Sequence, residues 1–113
     1  MIRRGDVWWA ELDEPRGSAP GFRRPVLVVQ ANAFNDSRIQ TVVTVVLTSN
    51  LRLLDAPGNV LLTARAAGLP KDSVANVSQI VTLDRGTLTE RAGRLGAEAM
   101  HAVARGMRLV LGL

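Results

Sequence analysis

The stretch Thr41-Val42-Val43-Thr44-Val45-Val46-Leu47 constrains the fold more than any other part of the chain. Six of its seven side chains branch at Cβ, which crowds a preceding helical turn and suits a pleated, extended backbone. Thr41 to Leu47 is therefore predicted as a strand. Pro25 to Val29 is continuously apolar and rich in β-branched residues, the pattern of a strand buried on both faces. Val7 to Leu12 reads as a third strand, whose Trp8 and Trp9 must leave on opposite sides because side chains alternate.

Polar segments punctuate these strands. Glu14 to Gly21 holds two Pro, two Gly and a Ser, which makes it a loop. Ala33 to Arg38 is a polar break with room for one helical turn, and Thr48 to Pro57 is irregular up to the Pro57-Gly58 turn signal. Asn59 to Thr63 reads as a short strand, Ala67 to Pro70 as a turn, and Ser73 to Leu83 as a strand broken near its middle by polar residues. Leu88 to Leu95 is expected to be a helical turn leading into a short last strand. From Ala97 to Leu111, Met100, Val103, Met107 and Val110 recur at helical spacing, with Glu98, His101, Arg105 and Arg108 on another face. Gly106 weakens that helix by about 1 kcal/mol relative to Ala, so packing must stabilise it. The expected architecture is a single domain over residues 1–113, mainly β with a C-terminal helix: a small, strongly bent sheet or barrel of five to seven short strands, capped by the helix.

Composition narrows the class. Apolar residues make up 47% of the 113, but only two Trp and two Phe are aromatic, so aliphatic side chains must fill the core. No apolar run approaches the ~20 residues of a membrane span, and the first residues lack the long apolar stretch of a secretory signal. With no cysteine there is neither a disulfide nor a thiolate metal site, and a cytoplasmic protein is expected. The net charge of +4, carried by thirteen Arg and Lys71, suits an anionic partner such as nucleic acid or an acidic protein; an ordinary Arg-rich surface would give the same balance.

Most catalytic constellations are missing. The single histidine, His101, lies on the polar face of the terminal helix, which excludes a two-histidine ribonuclease and a histidine-based triad. The ten carboxylates are dispersed without a two-metal spacing. Gly17 to Gly21 is too short for a phosphate-cradling nucleotide loop, and Arg4-Gly5-Asp6 reads as a strand opening rather than an adhesion motif. No metal and no cofactor are expected. What remains is Arg23-Arg24-Pro25, where a polar loop enters a buried strand, and Thr48-Ser49-Asn50, where the Thr41–Leu47 strand emerges. Pro25 forces Arg24 into extended backbone and so fixes the direction of its side chain. If the two strands are neighbours, a guanidinium and a hydroxyl converge at one rim of the sheet. Taken singly, Arg24 also reads as a surface cation and Thr48 as a strand end.

An ordered series of motifs adds to this. Arg-Gly-Asp-Val-Trp-Trp (4–9), Arg-Gly-Ser (16–18), Arg-Arg-Pro-Val-Leu-Val-Val (23–29), Leu-Thr-Ser-Asn (47–50), Pro-Gly-Asn-Val (57–60), Gly-Leu-Pro-Lys-Asp-Ser-Val (68–74), Asn-Val-Ser-Gln-Ile (76–80) and Arg-Leu-Val-Leu-Gly-Leu (108–113) resemble, in order, the MazF/PemK toxin ribonucleases. The series covers nearly the whole chain. The resemblance implies an SH3-like barrel, a homodimer, and metal-independent cleavage of single-stranded mRNA at short sequences. It also implies a cognate MazE-like antitoxin whose tail occupies the RNA groove. The family's catalytic Arg, preceding Pro, falls on Arg24, and its catalytic Thr falls on Thr48. Where many relatives have Gly-Ser-Glu-Gln in the first loop, this chain has Gly17-Ser18-Ala19-Pro20, so any role of that carboxylate does not transfer.

RNA carries its own nucleophile, so such a protein need only align the 2′-hydroxyl with phosphorus, stabilise the developing charge and manage two protons. The products would be a 2′,3′-cyclic phosphate and a 5′-hydroxyl. Arg24 is expected to clamp the scissile phosphate and Thr48 to donate a hydrogen bond to a phosphoryl or leaving oxygen. For the base, two routes stay open: a guanidinium whose pKa the site lowers, or positioning that carries most of the rate. Substrate contacts are expected from Ser18, Phe22, Arg23, Ser49, Asn50 and Gln79. Phe22 reads either as a stacking residue or as a loop anchor packed on the barrel. Asn50 and Gln79 read as base-edge contacts or as turn caps. Two other functions compete: a CcdB-like toxin that binds a topoisomerase, and a non-catalytic SH3-like module that docks peptides.

Overall fold

The computed structural model describes residues 1–12, 17 and 22–113. Among the described residues six strands make one antiparallel sheet: β1 Asp6–Leu12, β2 Phe22–Val28, β3 Thr41–Thr48, β4 Val60–Leu62, β5 Ser73–Asp84 and β6 Leu88–Arg94. Their order across the sheet is β4-β5-β3-β2-β1-β6. Two single helical turns, α1 Asn32–Asn35 and α2 Ala64–Ala67, lie between strands, and helix α3, Ala97–Leu111, ends the chain. No helix among the described residues is long and apolar enough to cross a membrane.

The β-branched run becomes β3, flanked by β2 and β5 and buried at Val42, Thr44, Val45, Val46 and Leu47. The buried Thr44 hydroxyl donates to the Val81 carbonyl at 2.8 Å, so its desolvation is compensated. Strand β2 starts three residues before the expected Pro25, because Phe22, Arg23 and Arg24 already pair with Leu12, Glu11 and Ala10 of β1. Both of its faces are covered: Leu27 lies in the main core, and Val26 joins Ala10 and Val46 in a smaller cluster on the other side. Trp9 packs on the first and Trp8 on the second, as alternation requires.

The polar interruption in β5 is a bulge. Val45 faces Ile80 while Val46 faces Asn76, so Val77, Ser78 and Gln79 are extra on that strand and bend it. Asn59 holds the bend: its amide donates to the Leu53 carbonyl at 2.8 Å and to Asn76 Oδ1 at 3.2 Å, and its Oδ1 accepts from the Val77 amide at 3.0 Å. The segment from Leu88 to Leu95 departs from expectation, being strand from its first residue through Arg94; the helical turn comes earlier, as a 3-10 turn at Arg85–Thr87.

Among the described residues β4 and β6, the two edges, do not pair. The gap is filled by α2, which packs on β6 at a contact with no room for side chains. A Cβ on Gly68 would lie 2.2 Å from the Ala92 carbonyl oxygen, and one on Gly93 would lie 2.6 Å from that of Ala67. The expected barrel is therefore a curled sheet closed by backbone packing instead of a hydrogen-bond ladder. Helix α3 seats in the same manner: a Cβ on Gly106 would stand 2.1 Å from the Gly58 carbonyl oxygen. Propensity counts Gly106 only as a cost, whereas its bare backbone is what lets α3 approach the sheet. Met100, Val103 and Met107 face the core, and Glu98, His101, Arg105 and Arg108 are exposed as expected. Val110 is the exception, 45% exposed, because the chain from Arg108 onward is exposed throughout.

Asp6 is fully buried with its carboxylate satisfied. It accepts from Arg94 Nε at 2.7 Å, from the Arg3 backbone amide at 2.9 Å and from Trp8 Nε1 at 3.3 Å, tying the first turn to the last strand. Arg4 is engaged as well, donating its backbone amide to Asn32 Oδ1 at 2.7 Å and its guanidinium to the Val29 carbonyl. The Arg-Gly-Asp tripeptide is thus part of the scaffold.

Gly106→Ala and Gly93→Ala, which propensity alone would favour, are each expected to lower the unfolding free energy by about 1–3 kcal/mol through overpacking; an unchanged or raised denaturant midpoint would show the contacts to be slack. Asp6→Ala strands an indole N–H and a backbone N–H and is expected to cost about 3 kcal/mol, measured the same way.

Candidate functional site

Beyond their last hydrogen-bonded pair, β2 and β3 run on toward the candidate site. Val26 faces Val46, Leu27 faces Val45 and Val28 faces Thr44. Continuing that register by two residues sets Arg24 level with Thr48. Both alternate with the Val26 and Val46 pair, so they belong to the same side of the sheet. The condition on which the expected convergence rests, that β2 and β3 be neighbours, is met.

Thr48 is half-buried and paired with Val74 of β5. Its Oγ1 accepts from the Asn50 amide at 3.1 Å. That bond orients the oxygen and leaves the hydroxyl hydrogen to be donated elsewhere. Asn50 in turn caps the 3-10 turn Leu51–Asp55, its side chain accepting from the Arg52 amide at 3.3 Å. A local turn thus fixes Thr48, Ser49 and Asn50 relative to the end of β3.

A cleft of about 240 Å³ opens beside Arg24 and Ser49; Thr48 is not among the described residues of its wall. Trp9, Pro25, Leu47, Leu69 and Pro70 supply its apolar lining, and Arg23, Arg24, Lys71, Ser49 and Ser73 its polar one. Among the described residues of the wall are three cations, which favour an anionic group. Arg23 lies over the Trp9 ring, 4.3 Å from its centroid. The same guanidinium is paired with Glu90 at 3.3 Å and Glu11 at 3.7 Å, so its position is set from two sides.

The other expected contact residues are distributed unevenly. Arg23, Arg24 and Ser49 share the cleft wall. Gln79 sits on the bulge of β5, where its Oε1 accepts from Asn76 Nδ2 at 3.0 Å. Phe22 begins β2 beside Arg23, 62% exposed and with φ at +57°. Ser18 lies outside the described residues. Sequence reasoning passes over Lys71, together with Trp9 and the Leu69–Pro70 wall. The available signal is the only lysine of the chain, set between Pro70 and Asp72 in one of the quoted motifs. Among the described residues no three His, Cys, Asp or Glu side chains group as metal ligands.

Comparison with known proteins agrees with the motif series. Residues 3–111 match the family of PemK-like, MazF-like toxins of type II toxin–antitoxin systems. Endoribonuclease MazF6 of Mycobacterium tuberculosis is 50% identical over 113 residues, covering 100% of this chain and 99% of the relative. Endoribonuclease EndoA of Bacillus subtilis is 33% identical, over 100% of this chain and 97% of its own. Among solved structures, an endoribonuclease in complex with its cognate antitoxin, from a mycobacterial species, superposes with a TM-score of 0.81 at 26% identity, covering 100% of this chain and 97% of the other.

The backbone at Phe22 can be tested directly. A left-handed backbone costs a residue bearing a Cβ roughly 1–2 kcal/mol, and an exposed ring regains little of that by burial. Phe22→Gly is therefore expected to leave the unfolding free energy within about 1 kcal/mol of the parent, relief of strain offsetting the added freedom of the unfolded chain. A loss of about 2 kcal/mol or more in denaturant unfolding would make Phe22 a packing anchor.

Proposed function

This chain belongs to the PemK-like, MazF-like toxins of type II toxin–antitoxin systems, and from that premise we propose that it is a sequence-specific endoribonuclease. Its substrate is single-stranded RNA, mRNA above all, and a cognate MazE-like antitoxin neutralises it. The observation that supports the reading is the antiparallel pairing of β2 with β3, which brings the Arg23-Arg24-Pro25 and Thr48-Ser49-Asn50 segments to one rim of the sheet, beside a cleft whose described wall includes Arg23, Arg24, Ser49 and Lys71.

In the proposed reaction the 2′-oxygen of the substrate bonds to the adjacent phosphorus and the bond from phosphorus to the 5′-oxygen breaks. The 2′-hydroxyl loses its proton, and the departing oxygen gains one. The products are a 2′,3′-cyclic phosphate and a 5′-hydroxyl. Arg24 holds the scissile phosphate and meets the charge that grows on its equatorial oxygens, where a fixed guanidinium is most effective. Thr48 donates its hydroxyl hydrogen to a phosphoryl or leaving oxygen, consistent with an Oγ1 that already accepts from the Asn50 amide. Because the substrate supplies the nucleophile, the chemistry asks for no metal. Phe22, Arg23, Ser49 and Asn50 flank the pair as substrate contacts, with Gln79 and Ser18 completing the set.

We assign a homodimer to the functional form. The side of the sheet that carries Arg24 and Thr48 also presents Trp8, Leu12, Val81, Leu83 and Leu88, all only half-buried around Ala10, Val26 and Val46. A second copy covering this side would bury that apolar surface and bring two active ends together. The setting is the cytoplasm, where mRNA is found.

The reading is tested by incubating the purified protein with long single-stranded RNA in EDTA and analysing the fragment ends. Discrete cuts with 2′,3′-cyclic phosphates are expected, and single-turnover rates should fall about 10²–10³-fold for Arg24→Lys and for Thr48→Val. Near-parental rates for either variant would remove that residue from the chemistry. Intact RNA across diverse sequences, together with inhibition of a topoisomerase, would replace cleavage by a binding toxin.

A further inference from the structure

We infer that Lys71 is a second phosphate anchor, holding a backbone phosphate of the RNA next to the one that Arg24 clamps; the inference rests on the endoribonuclease reading. Lys71 stands on the cleft wall with Arg24, Ser49 and Ser73. Among the described residues it makes no ion pair, whereas Arg23, the cation beside Trp9, is shared between Glu11 and Glu90. The carboxylate nearest in sequence, Asp72, is turned to other work, its Oδ1 accepting from the Ala64 amide at 2.7 Å at the start of α2.

The backbone of Lys71 is also held in place before any ligand arrives. Gly68 ends α2 in the left-handed conformation and lies against Ala92 and Gly93 of β6. Leu69 is buried, and its amide donates to the Ala64 carbonyl at 3.0 Å. Two residues after Lys71, Ser73 pairs with Leu62 at the start of β5. A lysine on so short and firmly tied a segment carries its ammonium to a fixed part of the wall. The ammonium itself is a rotatable point charge, suited to a phosphate whose orientation varies with the bound sequence and less suited to reading a base. Lys71 is therefore assigned to binding and positioning, with the reaction left to Arg24 and Thr48.

The test uses the full chain and two measurements: steady-state cleavage of a single-stranded RNA, and binding of the same oligonucleotide made uncleavable by 2′-O-methylation, over a range of salt. Lys71→Ala is expected to raise KM and Kd about tenfold, the effect of one charge-assisted hydrogen bond, with kcat changed less than about threefold. The slope of log affinity against log salt should shrink by about 0.7, the contribution of one phosphate contact to single-stranded nucleic acid. Lys71→Arg should restore both, and Lys71→Gln should behave as Lys71→Ala. Unchanged KM and salt slope in a folded Lys71→Ala enzyme, with the parent active, would overturn the assignment alone. A loss confined to kcat would also overturn it, placing Lys71 at the reacting phosphate. A parent that neither cuts nor binds RNA would instead overturn the endoribonuclease reading, and the anchor with it.

Discussion

The fold depends on a contact between bare backbones. Strands β4 and β6 form the two edges of the sheet, and what joins them is the packing of Gly68 against Ala92 and Gly93. No side chain intervenes, so the spacing is set by main-chain atoms meeting directly and has little room to relax. This closure draws the segment after α2 back over the sheet and sets Leu69, Pro70 and Lys71 opposite Trp9, Pro25 and Leu47. The cleft is a consequence of how the sheet is shut. Seating of α3 through Gly106 on Gly58 repeats the device at the other side of β5, where Val77 of the bulge lies against both glycines.

Arginine content, which sequence alone leaves divided between an anionic partner and an ordinary surface, divides in the structure too. Arg94 neutralises the buried Asp6. Arg85 uses its planar fork to satisfy the carbonyls of Ile39 at 2.7 Å and Asn35 at 2.7 Å, closing the loop between α1 and β3. Arg4 does similar work at Val29. These cations are scaffold, and they would be needed whatever the protein binds. A smaller group, Arg23, Arg24 and Lys71, stands on the wall of the cleft, with Arg23 shared between Glu11 and Glu90. Net charge is a weak guide because it sums two populations with different duties.

Legibility follows the range of the physics. Strand β3 and helix α3 are readable because branched Cβ atoms and a 3.6-residue period act within a few residues. Alternation within β1 likewise separates Trp8 from Trp9 correctly. The closure by Gly68 and Gly93 is not readable, since a glycine chosen for close approach looks in sequence like a glycine that merely weakens an element; Gly106 is misjudged for that reason. The start of β6 escapes a reading by pattern because its polar Thr89, Glu90 and Arg91 carry little strand signal, and the pairing with β1 that makes it a strand reaches across most of the chain. At the candidate site, Arg24 and Thr48 are suggested by type and by motif order, and that they share a rim rests on the β2–β3 pairing. Lys71 has only its rarity to recommend it, because its place on the wall comes from β6, far along the chain.

The proposed chemistry fits what so small a scaffold can supply. A reaction whose nucleophile and electrophile belong to one substrate gains mainly from alignment and from charges fixed where charge develops. Alignment is worth most when the groups that provide it sit on rigid elements, since a loosening of about an ångström forfeits much of the gain. Arg24 and Thr48 are placed at the ends of two adjacent strands, one held in extended backbone by Pro25 and the other oriented through the Asn50 amide. Neither needs a long loop to reach the substrate. The part left to a short connecting segment, Lys71, is the one whose proposed duty is to hold a flexible single strand, and there some tolerance is useful. Rigid strands for the reacting phosphate and short tethered segments for the flanking chain is the division of labour that this topology makes available.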